Sequence, residues 1–319
     1  MEMDAQQEAD LDPLAEELTP PGHQSGFVAV VGRPNAGKST LMNALLHQKI
    51  AIVTPRPQTT RTSQLGILTA SDFQIVFVDT PGLMQPRHLL DEFMLDRASE
   101  SLRGADVILW IVDGVYAPGE EDRAIARRLQ PLVGVKPIVL AINKADLLVP
   151  DLVVPRCESY RALLPDTIPW ILFSASRGRG LEELLQLIVG ALPEGPRYFP
   201  ADQITDVFMR DIAAELVREQ LLLQLREEIP YGTAVVVGEF KERDNGVTYV
   251  AANIFVERDS HKRIVIGKRG AQLRQIGSAA RREIEELVGG KVYLDLRVKV
   301  EPKWRRDKKA LRRLGYSRP

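Results

Sequence analysis

The sequence predicts a doubly wound α/β domain followed by a smaller α+β domain. Three observations carry that expectation. From Phe27 to about residue 195, short apolar runs alternate with longer amphipathic stretches, the pattern of buried parallel strands joined by crossover helices. A proline-rich stretch from Pro193 to Pro200 then breaks the alternation. Beyond it the order becomes helix, two strands, two helices, strand. A length of 319 residues also suits two cores, since one domain takes ~100–200 residues.

Residues 1–25 come first. They are acidic (Glu2, Asp4, Glu8, Asp10, Asp12, Glu16, Glu17), lack Lys and Arg, and close on Pro20-Pro21-Gly22. Too little apolar surface is present to order them, so they read as a disordered tail. The first domain spans 26–195, with strand-like runs FVAVVG (27–32), FQIVFVD (73–79), VILWIVD (107–113), PIVLAIN (137–143) and WILF (170–173). Residues 196–205 read as a linker. The second domain, 206–319, opens with helical spacing at Val207, Ile212, Leu216, Leu221 and Leu225 over about 206–228. Strand-like runs at 233–240 and 248–256 flank the turn signal Asp244-Asn245-Gly246. Two short helical segments then flank Gly267–Gly270, and a last strand lies near 291–300. The end reads as a basic tail: residues 291–319 hold eleven basic side chains against three acidic ones.

Composition narrows the chemistry. A single cysteine, Cys157, excludes an internal disulfide framework and a cysteine-based zinc site, and four histidines make a His-based metal site unexpected. No run approaches the ~18 apolar residues that span a bilayer, and no secretory signal pattern opens the chain. The mixture is 45% apolar and 27% charged, that of a soluble globular protein, and with the single cysteine and no signal pattern the expected compartment is the cytoplasm. The net charge of −1 hides an asymmetry: one end repels polyanions and the other attracts them.

Four motifs sit at predicted strand ends. Gly32-Arg33-Pro34-Asn35-Ala36-Gly37-Lys38-Ser39, continued by Thr40, fits G-x-x-x-x-G-K-[ST] between a strand and the helix LMNALL. Its glycines let successive N–H groups point at phosphate oxygens, and the helix N-terminus adds positive potential. Lys38 is placed to reach the β- and γ-phosphates, and Ser39 to ligate Mg²⁺. Asp79-Thr80-Pro81-Gly82 ends the second run. There Asp79 can hold Mg²⁺ through a water, and the Gly82 N–H can approach the γ-phosphate unobstructed. Asn143-Lys144-Ala145-Asp146 follows PIVLAIN. Guanine offers a ring N–H and an amine side by side to one carboxylate, whereas adenine would leave Asp146 facing a lone pair, a mismatch of ~10⁴-fold or more. Asn143 can bridge base and phosphate loop, the Lys144 stem can cover the ring, and Ser174-Ala175-Ser176 can complete the pocket. The expected ligands are GTP and GDP, and Asp146 disfavours an ATP-driven machine.

This series resembles the sequence boxes of translation-factor-type small GTPases, which implies a P-loop NTPase-type G domain. The second box falls in 54–62, TPRPQTTRT; there the resemblance implies that Thr60, with Thr59 the near alternative, ligates Mg²⁺ and senses the γ-phosphate. Lys38, Thr60 and Gly82 are the implied catalytic set. Ras-like enzymes place a water-orienting glutamine after D-x-x-G. Leu83 stands there, so slow intrinsic turnover is expected. Asn35 resembles the asparagine of GTPases that use K⁺ where others use an arginine finger; the competing reading is that it braces the loop.

In the second domain, Gly267-Lys268-Arg269-Gly270 is a G-x-x-G turn between apolar helical segments, the clamp by which KH domains hold about four nucleotides. Ile266, Gln272 and Arg274 complete the candidate RNA contact, with Lys262, Arg263, Arg281 and Arg282 nearby. The element order matches the bacterial, type II KH fold. From Gly26 to Tyr316 the chain resembles the Era-type bacterial GTPases, through PNAGKSTL, PQTTR, DTPG, NKAD, IGKRG and KVEPKWRRDKKALRRLGY. That resemblance implies a monomeric factor in 30S ribosomal subunit assembly that binds 16S ribosomal RNA near its 3′ end, GTP promoting the RNA-bound state. The acidic extension and the basic Arg305-Arg306-Asp307-Lys308-Lys309 depart from the pattern. The alternative reading is a signalling or peripheral-membrane GTPase whose C-terminal domain binds protein or anionic lipid.

Overall fold

The computed structural model describes residues 20–54, 61, 64–79, 89–243 and 245–316. The first domain contains β1 (Gln24–Val31), β2 (Gln64–Thr69), β3 (Phe73–Asp79), β4 (Val107–Asp113), β5 (Ile138–Asn143) and β6 (Trp170–Leu172). They form one sheet in the order β2-β3-β1-β4-β5-β6. Its helices are α1 (Lys38–Leu46), α2 (Leu89–Gly104), α3 (Glu120–Leu129), α4 (Val153–Arg161) and α5 (Leu181–Val189). Leu41, Met42, Leu184 and Ile188 of α1 and α5 pack on one face of the sheet. Ile125, Leu129, Cys157 and Tyr160 of α3 and α4 pack on the other. With both faces covered, every residue of β4 and β5 is buried, which explains their unbroken apolar runs.

One strand departs from the sequence reading. β2 is absent from the five predicted runs, and it lies antiparallel to β3 in an otherwise parallel sheet. Gly66 in its middle accounts for the weak signal. A Cβ there would lie 2.8 Å from Leu46 and 2.9 Å from Met42, so the strand gives up a side chain where α1 crosses it. The proline-rich linker is itself packed. Gln74 Oε1 accepts from the Tyr198 and Phe199 N–H groups at 2.7 and 3.0 Å. The Ile67 N–H donates to Ile204 O at 2.9 Å, and the Leu65 N–H to Asp206 Oδ1 at 3.1 Å. The linker thereby occupies the free edge of β2, a position that otherwise invites unwanted strand pairing.

The second domain comprises α6 (Met209–Gln224), β7 (Ala234–Glu242), β8 (Thr248–Val256), α7 (Asp259–Ile266), α8 (Ala271–Val288), β9 (Val292–Val300) and α9 (Lys308–Arg313). β7 and β8 are antiparallel with a bulge between Val237 and Glu239, and β9 joins β8 in parallel. Val250, Ala252, Ile254 and Val256 alternate inward from β8 onto α6 and α8.

The C-terminal end is a correction to the sequence reading. Residues 304–316 are not a basic tail but a folded cap. Trp304, Ala310, Leu311, Leu314 and Tyr316 are buried against Ala234 of β7 and against Leu90 and Met94 of α2. Its Lys and Arg residues occupy the solvent side except Arg305, which is part-buried and pairs with Glu257, and Asp307 caps α9 by accepting from the Lys309 and Ala310 N–H groups. Between the domains, Ile52 packs within the second core. Lys49 Nζ binds Glu219 and Glu283 at 2.7 and 2.6 Å, and the Val53 N–H donates to Glu219 Oε1 at 2.8 Å.

Candidate functional site

Three predicted motifs meet at the carboxyl edge of the sheet, where open α/β folds bind ligands. The loop 32–37 leaves β1 and enters α1 with Gly37 at φ +102°. Lys38 is buried, and its Nζ donates to Gly32 O at 3.0 Å and Arg33 O at 3.2 Å. Burial pulls its pKa below the ordinary lysine range, and the Asp79 carboxylate partly opposes this. A desolvated ammonium whose hydrogen bonds among the described residues go to neutral carbonyls is suited to an incoming phosphate. Beside it, Ser39 Oγ donates to the buried Asp79 Oδ2 at 3.0 Å. One hydroxyl and one carboxylate next to a phosphate cradle fit Mg²⁺, which takes few protein ligands and keeps waters and phosphate oxygens. Pro34 and Thr40 are half-buried, Ala36 is buried, and Asn35 is exposed at φ +63°. Thr59, Thr60, Thr80, Pro81, Gly82 and Leu83 lie outside the described residues.

Asn143 ties the loop to the segments that carry Asp146 and Ser174. Its Nδ2 donates to Ala36 O at 2.9 Å. Its Oδ1 accepts from the Lys144 N–H at 2.7 Å and the Ala175 N–H at 3.0 Å. Asp146 is oriented by Ser174, whose hydroxyl donates to Oδ1 at 2.5 Å, while Arg177 Nε stands 3.9 Å from Oδ2. Ser176 is exposed at the rim, its Oγ 3.4 Å from that of Ser174.

On the second domain, the G-x-x-G turn joins α7 to α8. Gly267 has φ +73°, and a Cβ there would lie 2.8 Å from Gln272 N; only glycine fits. Gly270 at φ +77° begins α8. Lys268 and Arg269 are exposed at the tip, Ile266 is half-buried against the core, and Arg274 is exposed beside Gly270. Gln272 Nε2 donates to Gln224 Oε1 at 3.3 Å, joining the turn to α6. Arg281 and Arg282 stand about 10 Å further along the α8 axis, at ~1.5 Å per residue, and Arg281 pairs with Glu285. The turn's own charges are therefore Lys268, Arg269 and Arg274.

Residues 27–144 match the family described as 50S ribosome-binding GTPase, and residues 228–305 match the KH domain. A GTPase Era of Halothermothrix orenii is 48% identical over 295 residues, covering 92% of this chain and 99% of its own. That of Geobacter metallireducens is 46% identical over 298 residues, covering 92% and 98%. The chain belongs to the Era family of GTPases. Two solved Era structures share its fold along nearly their whole length. An Aquifex aeolicus Era variant bound to GDP and AlF₄⁻ has a TM-score of 0.88 at 39% identity, covering 92% of this chain and all of its own. An Era in complex with MgGDPNP and nucleotides 1506–1542 of 16S ribosomal RNA has a TM-score of 0.88 at 40% identity, covering 93% and 100%.

One part of this Era-family site escaped the sequence reading. Asp113 ends β4 as Asp79 ends β3, and its buried Oδ2 holds Lys144 Nζ at 2.7 Å and faces Arg33 Nη2 at 3.4 Å. Arg33 also faces the buried Asp122 at 3.7 Å and lies over the Tyr116 ring. The Tyr160 hydroxyl fixes the loop by donating to Asp113 O and Tyr116 O at 3.1 and 3.2 Å. The carboxylate thus sets the direction of the Lys144 stem. The signal was present: VILWIVD, like FQIVFVD, closes on an aspartate at the strand's carboxyl end.

Proposed function

We propose that this chain binds and hydrolyses GTP and binds the 3′ region of small-subunit ribosomal RNA through its KH domain. In that role it acts as a nucleotide-controlled factor in 30S subunit assembly. The observation that carries the reading is the Asn143 hub, whose amide bonds Ala36 O of the phosphate loop on one side and, on the other, the Ala175 N–H next to Ser174, the residue that orients Asp146. Asp146 accepts from the guanine ring N–H and amine, and Ala175 and the Ser174–Ser176 turn line the base edge. Lys38 and the loop N–H groups from Gly32 to Thr40 hold the phosphates. Ser39 and Thr60 ligate Mg²⁺ directly and Asp79 holds it through water. Mg²⁺, when bound, neutralises charge on the β- and γ-phosphates. The Gly82 N–H contacts the γ-phosphate, and Leu83 supplies no polar atom to the attacking water, so unassisted turnover is slow.

Several finer readings belong to the same proposal. Asn35, exposed at the mouth of the loop, ligates K⁺ and thereby supplies positive charge otherwise brought by an arginine finger. Gly267 and Gly270 admit the RNA backbone, Lys268, Arg269 and Arg274 meet its phosphates, and Ile266 and Gln272 border the bases. The protein works as a monomer in the cytoplasm, and its basic cap permits peripheral contact with anionic membrane. No helix among the described residues is long and apolar enough to cross a bilayer. Crosslinking the full chain to the 16S 3′ region in GTP and GDP states, with ATP as competitor, tests the proposal. Crosslinks through α7 and α8 that survive excess ATP are expected. Equal competition by ATP and GTP, or crosslinks confined to protein partners, would overturn it.

A further inference from the structure

The sheet of the second domain buries one face and leaves the other in two unlike halves. Side chains alternate along a strand, so Val250, Ala252, Ile254 and Val256 of β8 point to the helices and the residues between them to the outside. At one end of that outer face, Ala234, Val236 and Phe255 lie under the C-terminal cap with Trp304 and Leu311. The other end is open. Tyr249 of β8 stands opposite Tyr293 of the edge strand β9, and their rings stack with centroids 5.9 Å apart and planes 20° from parallel. Tyr293 is 59% exposed. The Arg243 guanidinium lies 4.3 Å from the centre of the Tyr249 ring and 5.8 Å from that of Tyr293. The Tyr249 hydroxyl donates to Asp295 Oδ2 at 3.4 Å, and Arg297 Nη2 donates to the same oxygen at 2.9 Å.

A cross-strand aromatic pair steadies a sheet by itself. That role leaves unexplained the cations at its border. Among the described residues, Lys241, Arg243, Arg297 and Lys299 outnumber Glu239 and Asp295 on this face, and Asp295 is already engaged by Arg297. Open aromatic planes ringed by ammonium and guanidinium groups suit a polyanion that carries flat bases. A protein partner would meet little apolar surface here, since the outward neighbours of Tyr249 along β8 are Ala251 and Asn253. The pair also stands apart from the G-x-x-G turn. Helix α8 begins at that turn and runs for 18 residues, about 27 Å at ~1.5 Å per residue. Tyr293 is the second residue of the strand that follows. The turn itself clamps about four nucleotides, so only a longer strand reaches both.

We propose that Tyr293, Tyr249 and Arg243 form a second RNA site, a stacking platform on the outer face of the KH sheet for an unpaired base of a strand that extends beyond the G-x-x-G clamp. This rests on the reading of the second domain as RNA-binding. Tyr293 offers its exposed ring to the base, and Tyr249, its hydroxyl held by Asp295, keeps that ring in place. Arg243 and Lys241 meet the adjoining phosphates.

The test uses the full-length chain with Tyr293→Ala, Tyr293→Phe and Arg243→Ala, titrated with fluorescent single-stranded RNA from the 16S 3′ end. One fragment has about four nucleotides, the reach of the clamp. The other has about twenty, enough to cover the roughly 27 Å to the platform at ~3.4 Å or more per nucleotide. Tyr293→Ala is expected to weaken the long fragment by about 5- to 100-fold, the effect of losing one base–aromatic stack, and to leave the short one unchanged. Tyr293→Phe keeps the ring and should bind both like the parent. Arg243→Ala should lower the salt slope for the long fragment by about 1, one phosphate contact. Unchanged binding of the long fragment by Tyr293→Ala, the result if this face serves a protein partner, would overturn the proposal. So would an equal loss on both fragments, which marks damage to the clamp, a phenylalanine as harmful as alanine, or an unchanged slope in Arg243→Ala. A parent protein that binds neither fragment would sink the RNA-binding reading beneath it instead.

Discussion

Replacing Gly37 with alanine is expected to weaken GDP and GTP binding alike, with Asn143 as the reason. Gly37 stands at φ +102°, and a Cβ there would fall 2.1 Å from Asn143 Nδ2. That amide carries the bonds to Ala36 O, the Lys144 N–H and the Ala175 N–H. A neutral hydrogen bond contributes about 0.5–1.5 kcal/mol net, so displacing the asparagine removes about 3 kcal/mol, or roughly 100-fold in affinity. Backbone strain at positive φ adds roughly 1–2 kcal/mol to the fold as a whole and lowers the melting temperature separately. The assay is a titration with fluorescent GDP on Gly37→Ala, Asn143→Ala and the double variant. Since both single changes break the same three bonds, the double variant should bind within about threefold of Asn143→Ala alone. Fully additive losses, or a Gly37→Ala protein that binds like the parent, would refute the steric argument.

Three further outcomes are expected. GTP turnover in KCl should exceed that in NaCl at equal ionic strength if Asn35 ligates K⁺; identical rates remove that role. Lys268→Asp with Arg269→Asp should weaken binding to a single-stranded 16S 3′ fragment and lower the salt slope by about 2, one for each phosphate left without its cation; an unchanged slope would move the clamp elsewhere. Gly267 is the wrong position for that test, because a side chain there displaces Gln272. Cys157 is buried, and desolvation raises its thiol pKa. Each unit of that rise cuts the thiolate fraction about tenfold, so maleimide labelling at pH 7 should be slow until the protein unfolds; fast labelling of the native chain would contradict the packing of α4.

The motifs at the sheet edge were legible because β1, β3 and β5 are largely buried and their apolar runs mark their own ends, while the short, half-exposed β6 still leads into Phe173 before the Ser174 turn. Asp79, Asn143 and the Ser174 turn then fall on one sheet edge by topology alone. The G-x-x-G turn was legible for a similar local reason, two glycines at positive φ between helices. What escaped lies in contacts between distant segments. Gly66 obscured β2 because its missing side chain makes room for α1, a fact about packing rather than propensity. The cap at 304–316 was hidden by charge: its arginines and lysines suggested a solvated tail. Ala310, Leu311 and Leu314 nonetheless carry helical spacing that could have revealed an inward face. Arg61 had no local signal at all, since a lone arginine in a polar segment is ordinarily exposed; its burial is explained by distant partners, the Thr233 and Tyr231 carbonyls, the Tyr316 hydroxyl and the Trp304 ring.

The most direct measurement is base preference after Asp146→Asn. On the proposed reading, the Ser174-oriented carboxylate accepts from two guanine donors; an amide in its place offers one acceptor and one donor, which matches the extra carbonyl of xanthine. Competition between GDP and XDP for the purified variant should shift toward XDP by at least about tenfold, the equivalent of one hydrogen bond of roughly 1.4 kcal/mol. A variant that still prefers GDP as strongly as the parent would show that another group reads the purine.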